Sequence, residues 1–546
     1  MSVLLTMLCL LVSGLAHERI AIVPDPHIMD VEGHPELVKS LDEEVHSTRL
    51  FNENIFAFRA ALDDVASRGI RTVVIPGDVT DDGQRLNQEA ARRILEYYEQ
   101  HYGMRFFLTP GNHDPKAPFG RHTGCSSFLK PDGSVHPISS DPEMILYGSG
   151  VNPDRWSAGL DEQVSCYSDY GYFPREDYLY WETPFSTYTP DDYSFGEALA
   201  QSAPEDRLFC YCDSIKVMDT SYLVEPVDGL WLLSIDSGVF LPDGKGGFKG
   251  SNPGYNHTLG HKPHLLSWVR RVCKEAEERG KTLIAFSHYP LTDFNNGASE
   301  YLIRSWGRDK FDIERIPCAA VSDSMALSGL KLHFGGHMHI NNTAVWKVGD
   351  AVLTNVQVPS VSAAIPAYKI LTLKKSGKYR LEDVIVEDVD GFDSLFPLYR
   401  KEMEHAGSRG SQVSWSPAIL DSRNYAEFCD LYFRDLVRLR FCRNDVPEIL
   451  QEQMLPYTGA ELLARIDADA RIPRSMSGWT GYDLILDLYR FHYSADLAWR
   501  LVSRRRVRQY EKLFDAAQRS TEESEFISQM RDLGMIMNLF IDQDGR

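Results

Sequence analysis

The chain has 546 residues, of which 43% are apolar and 25% are charged, and its formal net charge is -21. This length exceeds one ordinary core and predicts at least two domains, or one domain with large insertions. The composition is globular, and beyond the first residues no apolar run is long enough to cross a bilayer. Because cationic contacts to phosphate dominate affinity for nucleic acids, the acidic charge argues against a long nucleic acid as partner.

The first sixteen residues are apolar, with small residues before Ala16, and they predict a signal peptide over residues 1–16. No Lys or Arg precedes the apolar centre, so a buried N-terminal strand or helix stays open as the alternative. The first strand is expected at Arg19, so cleavage after Ala16 would leave the fold intact. We therefore expect a secreted or periplasmic protein. Eight cysteines follow Cys9, which permits disulfides but indicates no pairing, and none forms a Cys-x-x-Cys pair.

Five apolar runs, interpreted as buried strands, each end in residues able to hold a metal. Helices are predicted between some of them, at about residues 54–67, 86–98 and 264–279. Each polar residue alone is also typical of a turn or a surface, but the repetition favours a shared metal site. The residues at the strand ends are Asp25 and His27, then Asp78, then Asn112, His113 and Asp114, then His288, and finally His337 and His339.

The spacing of these residues favours convergence. In an extended backbone, residues two apart point to the same side, so Asp25 with His27, and His337 with His339, can reach one ion. Alternating strands and helices imply a mainly parallel sheet whose carboxyl ends lie along one edge. Ligands of open α/β folds bind in the crevice at that edge. We therefore expect all five clusters to meet there.

The ordered motifs Asp-x-His, Gly-Asp, Gly-Asn-His-Asp, a single His and Gly-His-x-His resemble the calcineurin-like metallophosphoesterases. The resemblance covers about residues 18–390, apart from a long insertion. It implies an α/β fold, a four-layer α/β/β/α sandwich. We expect a metallophosphoesterase domain at 17–391, with an insertion at about 115–228, and a mainly helical C-terminal domain of unknown role at 392–546. The four strands predicted after His339 are expected to form a second sheet that packs on the first.

The resemblance also implies a role for each motif residue. One metal ion would be held by Asp25, His27 and His339, the other by Asn112, His288 and His337, and Asp78 would bridge them. His113 would lie near the phosphoryl group as proton donor, with Asp114 orienting its imidazole. Asp81 and Asp82 are assigned to outer hydrogen bonds or to loop structure.

Imidazole, carboxylate and amide ligands suit Mn, Fe or Zn, and the sequence leaves the choice among these divalent or trivalent ions open. Two ions about 3.5–4 Å apart lower the pKa of a bridging water and stabilise an in-line transition state. A bridging hydroxide would then attack phosphorus, while His113 protonates the leaving group. The expected partner is a small phosphate-ester substrate, and the oligomeric state is not indicated.

Two departures narrow the subgroup. Purple acid phosphatases have a tyrosine shortly after the bridging Asp, whereas Val79 and Thr80 stand here. The string from Gly77 to Gly83, followed by Gly-Asn-His-Asp, is more similar to that of bacterial cyclic-nucleotide phosphodiesterases. We therefore expect a phosphodiesterase. A nucleotidase-like phosphomonoesterase of the same fold is the alternative, and a non-catalytic metal-binding scaffold is a third.

Two regions carry no motif of this kind. The insertion is rich in Tyr and Trp, which favours a satellite core over aromatic walls of a substrate cleft. Beyond about Gly391 the pattern is helical. Its arginine cluster at 504–508 is interpreted as a solvated helix face, with an anion contact as the alternative.

Overall fold

The structure is a computed structural model that describes residues 18–212, 215–374 and 378–542. The predicted signal peptide at 1–16 lies outside the described residues. The polypeptide from Glu18 onward enters the first strand directly, as expected from the sequence. Cys125, Cys166, Cys273, Cys318, Cys429 and Cys442 are free thiols.

The strands form two large mixed sheets and two small ones. In chain order they are β1 (Arg19–Ile22), β2 (Thr72–Ile75), β3 (Arg105–Leu108), β4 (Gly124–Leu129), β5 (Val135–Ser139), β6 (Gly150–Val151), β7 (Tyr180–Glu182), β8 (Leu208–Cys212), β9 (Ile215–Met218), β10 (Tyr222–Val227), β11 (Leu230–Ser234), β12 (Thr282–Ser287), β13 (Leu332–Gly335), β14 (Asn342–Val348), β15 (Ala351–Gln357), β16 (Ala367–Leu373) and β17 (Tyr379–Ile385). One sheet has the order β17-β16-β1-β2-β3, and the other has the order β14-β15-β13-β12-β11-β10-β7.

Helices flank the two large sheets and make up most of the chain after residue 391. They are α1 (Leu41–Glu44), α2 (Asn54–Ser67), α3 (Arg85–Tyr102), α4 (Leu160–Cys166), α5 (Phe195–Ala200), α6 (Tyr255–His261), α7 (Pro263–Glu278), α8 (Ser299–Ser305), α9 (Ala319–Leu327), α10 (Phe396–Ser408), α11 (Tyr425–Leu436), α12 (Cys442–Asn444), α13 (Glu448–Gln453), α14 (Gly459–Ile466), α15 (Gly481–Ser494), α16 (Arg504–Arg519) and α17 (Glu525–Ile541). Among the described helices, none has the length and apolarity needed to span a bilayer.

The centre of each large sheet is parallel and buried. β1, β2 and β3 pair in parallel in one sheet, and β11, β12 and β13 do so in the other. Every residue of β2 and β11 is buried, as expected for strands covered on both faces. Helices α2 and α3 cover the first sheet, and α7 and α9 cover the second. This arrangement is the predicted α/β/β/α sandwich.

The strands after His339 pair differently from the prediction. They do not form a sheet of their own, because β14 and β15 extend the β11-containing sheet while β16 and β17 extend the β1-containing sheet. β16 runs antiparallel to β1, with Ile22 opposite Lys369. The parallel strands are therefore divided between two sheets, and each sheet is completed by a hairpin from the end of the domain.

The insertion has its own small sheets but also joins the main fold. β4, β5 and β6 form one small sheet and β8 with β9 another, whereas β7 and β10 lie at the edge of the seven-stranded sheet. Tyr167, Tyr172 and Trp181 are fully buried, and the Tyr180 ring stacks on Trp231 with centroids 5.8 Å apart. The aromatic residues of the insertion therefore act mainly as core, as the sequence favoured.

The C-terminal helical region, residues 392–542, packs on the sandwich through many buried side chains of one continuous core. Asn341, two residues after His339, donates its backbone N–H to the Tyr493 carbonyl at 2.8 Å. In the arginine cluster on α16, Arg504, Arg505 and Arg508 are exposed. This exposure agrees with the predicted solvated face.

Candidate metal centre

The predicted polar clusters meet where the carboxyl ends of strands from both sheets face each other. Asp25 and Asp78 follow β1 and β2 of the first sheet, whereas His288 and His337 follow β12 and β13 of the second. The division into two sheets does not separate them. His27 and His339, 312 residues apart in the chain, lie with their Nε2 atoms 3.2 Å apart.

The first group consists of Asp25, His27 and His339, whose ligand atoms all lie within 4.8 Å of one another. All three side chains are buried. The Nδ1 of His339 lies 3.1 Å from the carbonyl oxygen of Thr48, so this ring donates from Nδ1 and presents Nε2 to the group. Such an outer hydrogen bond is the usual way in which a ligand histidine is oriented.

The second group consists of Asp78, His288 and His337, again with ligand atoms within 4.8 Å of one another. His288 donates from Nδ1 to the Pro76 carbonyl at 3.0 Å, which leaves its Nε2 facing the group. That Nε2 lies 3.0 Å from His337 Nδ1 and 2.9 Å from Asn112 Oδ1. The predicted amide ligand therefore joins this group.

Asp78 lies between the two groups. Its Oδ2 is 3.6 Å from His27 Nε2 of the first group and 3.3 Å from His288 Nε2 of the second. Its Oδ1 accepts the backbone N–H of His113 at 2.8 Å. One carboxylate oxygen thus faces ring nitrogens from both groups, which is the position required of a bridging ligand.

The protonation of these groups follows from burial and from the charges around them. Burial lowers the pKa of His27 and His337 well below the usual value and lowers that of His339 to about 3, so these rings are neutral donors of a lone pair. Burial also opposes the charged form of His288, but the Asp78 carboxylate outweighs it and raises the pKa of His288 to about 9. Against burial, the His288 charge holds the pKa of Asp78 well below its usual value.

The backbone at the centre is strained. Asp25, His27, Asp78, His337 and His339 all have positive φ, between 43° and 66°. Left-handed backbone costs a non-glycine residue on the order of 1–3 kcal/mol and gathers at functional sites. These side chains are therefore aimed inward by a conformation that local preference alone would not select.

At two motif positions only glycine fits, because there is no room for a side chain. A Cβ at Gly111 would lie 2.0 Å from Asp78 Oδ1, and a Cβ at Gly336 would lie 2.5 Å from Asp25 Oδ2. Real Cβ atoms do not approach so closely, so any side chain here would displace a candidate ligand. The glycines of the motifs leave the room that the carboxylates occupy.

His113 lies beside the first group, with its ring centroid 5.3 Å from that of His27. The carboxylate at its ring is Asp82, whose Oδ1 is 2.7 Å from Nδ1. The predicted partner, Asp114, is buried and accepts the backbone N–H groups of Val79 and Gly111. The expectation that Asp114 orients the imidazole is therefore corrected, since Asp82 makes that contact and Asp114 holds the loops together.

Three cations near His113 were not predicted. Arg49 lies with a guanidinium nitrogen 2.8 Å from His113 Nδ1 and 2.5 Å from Asp81 Oδ1. Lys39 pairs with the other oxygen of Asp81 at 2.8 Å, and Lys116 lies 2.7 Å from Asp82. Asp81, Asp82 and His113 have metal-like spacing, but these cations already neutralise the carboxylates. No motif signals Arg49 or Lys39, because both come from an irregular stretch of the sequence.

Behind His288 a buried hydrogen-bond chain joins three strands of the second sheet. Ser287 Oγ lies 2.8 Å from His333 Nε2, and His333 Nδ1 lies 2.8 Å from Asn355 Oδ1. All three residues are fully buried, so this serine cannot meet a substrate. The chain fixes the end of β12, from which His288 projects.

One family model and two solved structures are similar to this chain. The calcineurin-like phosphoesterase model matches residues 18–341, more than half of the chain. A dimetal phosphatase from Danio rerio is similar with 10% identity and a TM-score of 0.33, over 67% of this chain and 98% of that chain. GAP50, the anchor in the inner membrane complex of Plasmodium, is similar with 12% identity and a TM-score of 0.31, over 68% of this chain and 85% of that chain.

No curated protein matches in sequence. The family match alone identifies the family of this chain. That match begins at the first described strand and ends just after His339, and it therefore includes every predicted motif. The chain belongs to the calcineurin-like phosphoesterase family.

Proposed function

We propose that the protein is a phosphodiesterase that uses two metal ions. Asp25, His27 and His339 would hold one ion, and Asn112, His288 and His337 would hold the other, with Asp78 shared. The observation that carries this proposal is the position of Asp78 Oδ2, which faces His27 Nε2 at 3.6 Å and His288 Nε2 at 3.3 Å.

The donor set fits metal ions better than a network of hydrogen bonds. The Nε2 atoms of His27 and His339 lie 3.2 Å apart, and the buried His27 Nδ1 and His337 Nε2 have no hydrogen-bond partner among the described residues. Since His339 donates from Nδ1 to Thr48, its Nε2 carries a lone pair. Neutral imidazole, carboxylate and amide oxygen together suit Mn, Fe or Zn.

Bound in pairs, such ions activate water, neutralise the phosphate oxygens and stabilise an in-line transition state. The protein contributes a rigid frame of strand ends and a proton source. His113 is partly exposed beside the first group, so its ring is open to a leaving group. As water oxygen bonds to phosphorus and the ester bond breaks, His113 would donate its proton to the departing alkoxide.

Asp82 supports this role of His113. An ionised carboxylate only accepts hydrogen bonds and a guanidinium only donates them. A protonated Nδ1 therefore pairs with Asp82, whereas an unprotonated Nδ1 accepts from Arg49. Because Nδ1 keeps its proton towards Asp82, the proton that His113 would give to the leaving group is the one on Nε2, and the ring need not turn during the reaction.

The choice of a diester is supported by the string from Gly77 to Gly83 with the Gly-Asn-His-Asp motif, and by the insertion. An aromatic cap over the site, built by the insertion, would favour the monoester alternative, but Tyr167, Tyr172, Tyr180 and Trp181 are buried in the core. The proposed substrate is therefore a small phosphodiester.

Parallel assays test this proposal. Metal-analysed protein is expected to hydrolyse bis(p-nitrophenyl) phosphate in the presence of Mn or Zn, with a higher kcat/KM than for p-nitrophenyl phosphate. If the protein hydrolyses only the monoester, the phosphodiesterase proposal is refuted and the phosphomonoesterase alternative takes its place. His113→Ala is expected to lower turnover about 100-fold or more at unchanged metal content. The exposed His101→Ala serves as the matched control and is expected to keep full turnover.

We also propose that the protein is exported. The apolar residues before Ala16 and the start of the first strand at Arg19 support cleavage between them. N-terminal sequencing of protein from the medium or the periplasm is expected to find a start at His17. A start at Met1 or Ser2 in protein retained in the cytoplasm would contradict export.

A further inference from the structure

The segment at residues 39–53, called here the bridging segment, lies between the metal centre and the C-terminal helical region. On the side of the centre, Lys39 and Arg49 pair with the two oxygens of Asp81. Arg49 also reaches His113 Nδ1 at 2.8 Å. The Thr48 carbonyl accepts from His339 Nδ1 at 3.1 Å. The bridging segment therefore touches both a candidate metal ligand and the candidate proton donor.

On its other side, the bridging segment is held by side chains of the C-terminal helical region. The Tyr432 hydroxyl on α11 donates to the Ser47 carbonyl, next to Thr48. Further residues of the helical region also contact it. Glu402 accepts from Ser40 Oγ and the Leu41 N–H, Tyr399 donates to Glu53 at 2.6 Å, and Arg440 donates to the His46 carbonyl at 3.3 Å.

The bridging segment has little regular structure of its own. Its one α-helix, α1, spans four residues, and the stretch from Val45 to Glu53 contains no helix or strand. Yet Leu50, Phe51, Asn52 and Glu53 are buried. Buried backbone polar groups need partners. The N–H groups of Phe51 and Asn52 donate to Glu44 of the same segment, whereas the carbonyls of His46 and Ser47 accept from Arg440 and Tyr432 of the C-terminal helical region.

We propose that the C-terminal helical region positions the bridging segment for the reaction of the proposed function, and that Tyr432 and Arg49 are positioning residues in this arrangement. Tyr432 fixes the Ser47 carbonyl, two residues before Arg49. Arg49 in turn fixes the ring of His113 and the loop at Asp81. This assigns a role to a region that contributes no ligand to the metal centre.

The test compares two Tyr→Phe variants of the full chain. Tyr432→Phe removes the hydroxyl that holds Ser47, whereas Tyr482→Phe removes a hydroxyl that donates to the Arg434 carbonyl within the C-terminal helical region. Amide hydrogen exchange over residues 39–53 is measured in both variants without added metal. Exchange is expected to accelerate about fivefold or more in Tyr432→Phe, and to stay at the wild-type rate in Tyr482→Phe.

Kinetics supply the second measurement. Tyr432→Phe is expected to lower kcat for bis(p-nitrophenyl) phosphate about five- to tenfold, the loss of about one well-formed hydrogen bond. KM and metal content are expected to stay within twofold of wild type. In an Arg49→Ala background, Tyr432→Phe is expected to have no further effect on kcat, because both residues act through one arrangement.

Unchanged exchange in Tyr432→Phe would overturn the inference, and so would faster exchange with unchanged kcat. Equal losses of kcat in Tyr432→Phe and Tyr482→Phe would also overturn it, since they indicate a general loss of stability. A wild-type protein inactive on both esters would refute the proposed function itself, and the positioning role would fall with it. A wild-type protein that is active beside an unaffected Tyr432→Phe refutes the positioning role alone.

Discussion

Glu53→Gln is expected to stabilise the protein, and to do so only at neutral and alkaline pH. Glu53 and Glu44 are both fully buried in the bridging segment, and each has one carboxylate oxygen with no hydrogen-bond partner among the described residues. Burial raises the pKa of Glu53 to about 7, and burial together with Glu53 raises the pKa of Glu44 well above its usual value. The folded protein therefore binds a proton here more tightly than the unfolded chain does.

The sign and size of the effect follow from that difference. A carboxyl whose pKa is raised by folding favours the folded state at low pH, and this contribution is lost as pH rises from about 4.5 through 7. Each pKa unit corresponds to about 1.4 kcal/mol, so deprotonating Glu53 costs the folded state about 3 kcal/mol. A Gln at position 53 keeps an acceptor for the Tyr399 hydroxyl and carries no charge.

Urea unfolding at pH 5 and pH 8 measures the effect. The gain in unfolding free energy of Glu53→Gln over wild type is expected to grow by about 2–3 kcal/mol between these values. The exposed Glu452→Gln is the matched control and is expected to change stability by less than about 0.5 kcal/mol at both. An equal gain at the two pH values, or a gain only at pH 5, would refute the argument for a protonated carboxyl in the folded state.

Four further outcomes are expected at the metal centre. Asp78→Asn should reduce bound metal from two ions to fewer than one per chain by elemental analysis, because both groups lose their shared carboxylate. Asp82→Asn should lower turnover about 10- to 100-fold at constant metal content, because His113 loses its charged partner. Gly111→Ala should abolish metal binding, while Gly196→Ala, where a Cβ meets open space, should not. Chelation should stop hydrolysis, and added Mn or Zn should restore it; activity that survives complete chelation would contradict a metal mechanism.

The convergence of the motif residues could be predicted because it depends on local features. Apolar runs identify strands, and polar residues at their carboxyl ends must share an edge when the strands are parallel. The division of β1–β3 and β11–β13 between two sheets could not be predicted, since nothing in an apolar run of four to six residues selects its neighbour. One continuous sheet and two facing sheets bring the same strand ends together. The site could therefore be predicted although the division of the strands between sheets could not.

The carboxylate that contacts His113 could not be predicted from the sequence, for a different reason. Asp81, Asp82 and Asp114 are chemically identical, and only the direction of each side chain selects one. Asp82 has a φ of 68°, which aims its carboxylate at the His113 ring. The contact of Arg49 with His113 could not be predicted either, because the position of Arg49 depends on tertiary contacts of a segment without hydrophobic periodicity. Residue type thus identified the candidate ligands, but not the groups that hold them.

The space left by the motif glycines offers a way to sort relatives of this protein. Because a Cβ at Gly111 or Gly336 would occupy the volume of a carboxylate, a side chain there disables the centre even when every Asp and His is retained. A relative with intact acids and imidazoles but a substituted glycine is therefore expected to be a pseudoenzyme. Glycine at both positions is thus a requirement for an active centre, in addition to the Asp and His residues.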